Sequence, residues 1–140
     1  MSQATGFNVN AGWRVLLKDI GIRPADVLRR AGLPDDLFSR DGAVLSVGEY
    51  FDLWRGTEAE ANDPLLPLRL GQAVSFEAFD PPIFAAMCSP NLNLASARVS
   101  RFKKLVGPMT LLVQEDTDET SVTISGLEDE EDVPGTLMAV

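Results

Sequence analysis

The stretch Asn91-Leu-Asn-Leu-Ala-Ser-Ala-Arg-Val-Ser-Arg-Phe-Lys-Lys-Leu-Val-Gly-Pro108, followed by Met109-Thr-Leu-Leu-Val-Gln-Glu115, changes its hydrophobic period halfway. Leu92, Ala95, Val99, Phe102 and Val106 share one helical seam, and Asn91 is placed to cap it. Arg101, Lys103 and Lys104 fall in its last turns, where cations complement the helix dipole. Gly107-Pro108 stops the helix. From Met109 the apolar residues alternate, so 109–115 and 120–126 read as two strands joined by a polar turn. The chain is therefore expected to be α+β: mostly helical through residue 107, then an antiparallel β-hairpin.

Upstream, every segment is punctuated as helix. Trp13, Leu16, Leu17 and Ile20 recur at helical spacing, and Gly21 stops them. Pro24 suits the first turn of a second helix, with Val27, Leu28 and Ala31 as its buried stripe and Gly32 then Pro34 as its end. Ser46-Val-Gly-Glu49 reads as a capping box, in which serine and glutamate satisfy each other's backbone donors. Behind it, Val47, Tyr50, Phe51 and Trp54 make an aromatic-rich face. Asn62-Asp63-Pro64 turns the chain, and a short helix over 65–70 is ended by Gly71. Ala78-Phe-Asp-Pro-Pro82 reads as a stiff loop, and the apolar run 83–88 as a buried turn or two of helix. Residues 1–11 are polar and small, and read as a disordered arm before a domain over 12–140.

Composition narrows the chemistry. The 140 residues are 45% hydrophobic and 24% charged, an ordinary balance for one soluble domain. No apolar run approaches the ~20 residues of a membrane span, and no basic start precedes an apolar stretch as in a signal peptide. The single cysteine excludes an internal disulfide and fits a reducing, cytoplasmic setting. The chain has no histidine, which removes the commonest general base, the serine and cysteine triads, the usual zinc sites and histidine-ligated haem. No catalytic constellation, cofactor or metal is expected, and the reading is of a protein that is not an enzyme. The net charge of −9 is carried entirely by the last 33 residues, which hold nine acidic side chains and no basic one. A module that grips DNA phosphates carries a basic face. This chain on its own is not expected to bind DNA.

The order of these pieces resembles a family. Gly21-Ile-Arg-Pro-Ala-Asp-Val-Leu-Arg-Arg-Ala-Gly-Leu-Pro34 is similar to the opening of the arabinose-binding-type N-terminal domain of AraC-type transcriptional regulators. Ser46 to Trp54 is similar to its first long helix, and Asp63-Pro64 with Leu68-Arg-Leu-Gly71 to its following turn. Cys88-Ser-Pro90 and the helix holding Arg101-Phe-Lys-Lys-Leu105 complete the likeness, which covers about residues 12 to 140. The resemblance implies a sensor that binds a small-molecule effector, forms a homodimer and controls C-terminal helix-turn-helix motifs. DNA is then a partner only through those motifs, which this sequence lacks. It also implies further structure past Val140, with a helix starting near Pro134. A two-stranded hairpin is marginal alone, so the domain is expected to be truncated at its C-terminus.

Candidate ligand-contacting residues are Trp54, Arg69, Phe79, Phe84, Met87, Cys88 and Arg101. Phe79, Phe84 and Met87 flank the Pro-Pro loop as an apolar wall. Arg69 and Arg101 sit among apolar neighbours, and arginine pairs well with a carboxylate. Each has a plainer reading: Trp54 as helix core, Cys88 as a small buried residue, the arginines as surface side chains with their heads in water. A second functional reading stays open beside the sensor: a dimerisation or protein-interaction module without a ligand.

Overall fold

The computed structural model describes residues 5–73, 81–126 and 133–139. The chain divides into two compact units, one over 7–78 with 132–140 and the other over 79–131 with 1–6.

The larger unit is helical around a single apolar cluster. Its elements are β1 (Phe7–Val9), α1 (Gly12–Asp19), α2 (Pro24–Ala31), a 3-10 turn (Leu37–Ser39), β2 (Ala43–Leu45), α3 (Val47–Ala61), α4 (Leu66–Ala73) and, after the acidic segment, α7 (Gly135–Ala139). The local punctuation works as the residues dictate. Pro24 occupies the first turn of α2, whose end is closed by Gly32 in the left-handed conformation, with its N–H bonded to the Arg29 carbonyl and that of Leu33 to the Leu28 carbonyl. The capping box before α3 is complete: the Glu49 N–H donates to Ser46 Oγ at 3.2 Å and the Ser46 N–H to Glu49 Oε2 at 2.8 Å. Asp63 Oδ1 accepts from the Leu65 N–H at the start of α4. The core packs Leu17, Val27, Leu28, Leu53, Leu66 and Leu70, all at most 1% exposed, and α7 leans on it through Leu137. The α7 backbone is also tied to α3, the Thr136 N–H donating to Glu58 Oε1 at 3.0 Å.

The tightest helix contact in this unit is α2 on α3. Gly56 makes it possible: a Cβ there would lie 2.9 Å from the Val27 carbonyl oxygen and 3.3 Å from the Ala31 Cβ. A side chain at position 56 forces the two helices apart.

The smaller unit contains α5 (Pro81–Met87), α6 (Leu92–Val106), β3 (Thr110–Glu115) and β4 (Thr120–Ser125). Asn91 Oδ1 accepts from the Leu94 N–H and caps α6, and the extended backbone at Gly107 ends it. The strands β3 and β4 pair antiparallel from Thr110↔Ser125 to Glu115↔Thr120. This is the α+β order expected from the change of period.

Three expectations need correction. The N-terminal residues are not an arm from 7 onward: β1 pairs antiparallel with β2, Phe7 opposite Leu45, with Phe7 and Val9 buried. Strands of three residues give no periodic signal, and their pairing partner lies far away in sequence. Gly71 does not end α4, which runs through it to Ala73. The run 83–88 is helical but not buried: Phe84 is 43% and Met87 53% exposed, and Cys88 is exposed as well. Seven residues make barely two turns, so an all-apolar run must leave some of its side chains outside.

Candidate functional site

In the larger unit, α1, the start of α2 and the 3-10 turn enclose an open depression of about 450 Å³. That is within the usual ~300–1,000 Å³ of small-molecule sites. Its floor is apolar, made by Leu28 and Phe38, which are 1% and 3% exposed. Its rim is charged: Arg14 and Lys18 from α1, Arg23 from the α2 N-terminus, and Asp35 and Asp36 ahead of the 3-10 turn.

These charges differ in how far they are already engaged. Arg23 Nε lies 2.7 Å from Asp26 Oδ2, and Arg29 Nη2 lies 2.5 Å from Asp26 Oδ1, so one nearly buried carboxylate holds two exposed guanidiniums. Only the Arg29 contact is aligned as a hydrogen bond; Oδ2 has charge proximity without one. Asp36 accepts two bonds from Arg40, at 2.7 and 3.1 Å, and that hydrogen bonding holds its carboxyl below the ordinary range. Arg14, Lys18 and Asp35 have no ion-pair partner among the described residues.

An aromatic cluster stands behind the floor. Trp13 lies parallel to Phe38 at 6.2 Å, and it meets Trp54 edge-on at 5.1 Å and Tyr50 edge-on at 6.2 Å. Tyr50 in turn stacks on Phe7 at 3.9 Å. Phe38 is thus shared between the depression, which it lines, and the cluster. The Trp54 indole N–H is buried in the cluster without a hydrogen-bond partner among the described residues, an arrangement that ordinarily costs about 1–3 kcal/mol.

The sequence-derived candidates distribute over both units. Trp54 is 5% exposed within the aromatic cluster. Arg69 is engaged, donating to Asp63 Oδ2 at 2.9 Å and to the Ile20 carbonyl at 2.6 Å, and so ties α4 to the end of α1. Phe84, Met87, Cys88 and Arg101 all belong to the smaller unit. There Arg98, not Arg101, makes the dense contacts: its Nη1 donates to the Ala85 and Cys88 carbonyls and to Ser89 Oγ, binding α5 to α6. The Arg101 guanidinium lies 5.9 Å from the Phe102 ring centroid. Phe79 lies outside the described residues. Arg14, Lys18 and Asp35 were not singled out by sequence reasoning. The one available signal was the spacing of Arg14 and Lys18, four apart on a short helix.

Among the described residues, no helix is long and apolar enough to cross a membrane, and no cluster of acidic or cysteine side chains is arranged to hold a metal. The elements define an α+β domain carrying an open, charge-rimmed depression over an apolar floor. The family model for the arabinose-binding domain of AraC transcription regulator, N-terminal, matches residues 21–139, and the chain belongs to that family. A comparison with curated proteins finds no match.

Proposed function

We propose that this chain is the effector-sensing domain of an AraC-type transcription factor and that the depression between α1 and α2 is where its small-molecule effector binds. The observation that carries the reading is family membership across residues 21–139. The depression supports it with the combination typical of ligand sites, an apolar surface and a few convergent polar groups. Gene control follows by linkage: an effector that binds one state of the domain better shifts the population toward it, and DNA-binding motifs elsewhere in the regulator respond. The protein acts in the cytoplasm, as a homodimer, and performs no catalysis. Nine uncompensated acidic residues after Gly107 keep this part from gripping DNA phosphates itself.

A second reading has one observation in its favour. On the two-stranded sheet, Leu112 is 52% and Val122 47% exposed, surfaces that a ligand-free dimerisation module covers with a partner.

The two readings separate on tryptophan emission. Trp13 lies parallel to Phe38, which lines the depression, so titration with the true effector is expected to change emission saturably. If no metabolite changes it while light scattering shows a tight dimer, the dimerisation reading replaces the sensor.

A further inference from the structure

We infer that the depression takes a small organic anion, a carboxylate carried on a short hydrocarbon body. The inference rests on the sensor reading above and names the ligand class of that same site.

The charges without an ion-pair partner among the described residues decide the class. With Arg23 held by Asp26 and Asp36 held by Arg40, the rim retains two cations, Arg14 and Lys18, against one anion, Asp35. Arg14 and Lys18 share a face of α1 at i and i+4, where like charges repel. An anion between them turns that repulsion into two charge-assisted contacts, one from a guanidinium whose planar fork matches a carboxylate. The third wall adds to the same potential. It is the N-terminus of the eight-residue helix α2, the positive end of its dipole, with Ala25 lining the depression. Beside the charges, the depression is also lined by Pro24 and Ala25, half-buried and exposed, over the buried Leu28 and Phe38, and this apolar lining suits the hydrocarbon body of an acid. An uncharged sugar leaves the two cations unneutralised. A free inorganic anion leaves the apolar lining at Pro24 and Ala25 bare.

The test is calorimetric titration of the 140-residue chain at low ionic strength with acetate, 4-methylpentanoate and phenylacetate. Two uncharged probes, 4-methylpentanamide and arabinose, are run alongside. Arg14→Gln/Lys18→Gln serves as the variant, since both side chains are exposed and its melting temperature verifies folding. The expected result is saturable binding of at least one of the larger acids, tighter than acetate. That affinity falls tenfold or more for the amide and for the double variant, and it also falls as salt is added. Equal affinity for acid and amide, or unchanged acid binding by the folded double variant, overturns the inference. Binding of arabinose with none of the acids overturns the ligand class and leaves the sensor reading standing. Absence of binding by all five probes overturns the class, and the sensor reading is then judged separately by the tryptophan titration.

Discussion

At Asp26 a carboxylate only 8% exposed is held by two arginines that are 83% and 72% exposed. Its position in the first turn of α2 also favours a negative charge. Asp26→Ala leaves both arginines in water, where they lose little, so the cost is modest for a buried charge. Urea denaturation is expected to show a loss of about 1–2 kcal/mol. Asp63 is a second informative residue. The hydrogen bond from Arg69, and then the one from the Leu65 N–H, lower its pKa below the ordinary 3.8. A lowered folded pKa means a stabilising contribution that is complete above 3.8 and lost as pH falls through the folded value. In Arg69→Ala the Asp63 carboxyl, followed by NMR, is expected to titrate closer to its ordinary range, and the acid side of the stability curve flattens. Little of this was legible in the sequence. Arg69 stood out because of its apolar neighbours, but whether an arginine is free for a ligand depends on partners such as the Ile20 carbonyl, 49 residues away. Arg14 and Lys18 do not stand out for the converse reason: that they have no ion-pair partner among the described residues is a tertiary property.

At the scale of elements, the boundaries were readable because they are set by neighbouring residues. The capping box at Ser46, the cap at Asn91, the left-handed Gly32 and the change of period at Gly107 all fall where the sequence placed them. What failed was long-range or short. The β1–β2 pair joins three-residue strands, and neither carries enough alternation to signal itself. Gly56 is the element-scale test. On propensity alone, Gly→Ala in a helix interior is worth up to about 1 kcal/mol of added stability. Here the new Cβ meets the α2 backbone at 2.9 Å, and overpacking costs typically 1–3 kcal/mol. Gly56→Ala is therefore expected to lower the denaturation midpoint. A raised midpoint would show that α2 moves aside at no cost.

For the whole molecule, the depression and most of the candidate list fall in different units. The sequence put five of seven contact residues in 79–101: Phe79, Phe84 and Met87 as an apolar wall at the Pro-Pro loop, Cys88 as a thiol and Arg101 as a carboxylate partner; the four of them that the structure describes lie in the smaller unit. The depression lies wholly in the larger unit, built from segments that each looked like plain helix and turn. Its parts come from positions 14 to 39, and only folding gathers them. The family, by contrast, was legible from the order of its punctuation, and the match over 21–139 agrees with it.

The measurement that reaches the central claim most directly is the melting temperature of the chain across a panel of metabolites at several concentrations. A ligand that binds only the folded state stabilises by RT ln(1 + [L]/Kd), about 2.7 kcal/mol at a hundredfold excess over Kd. The expected result is a rise with at least one compound that grows with its concentration and shrinks in Arg14→Gln/Lys18→Gln. A flat melting temperature throughout the panel would contradict effector sensing by this domain, and an equal rise in both proteins would place the effector outside the α1–α2 depression.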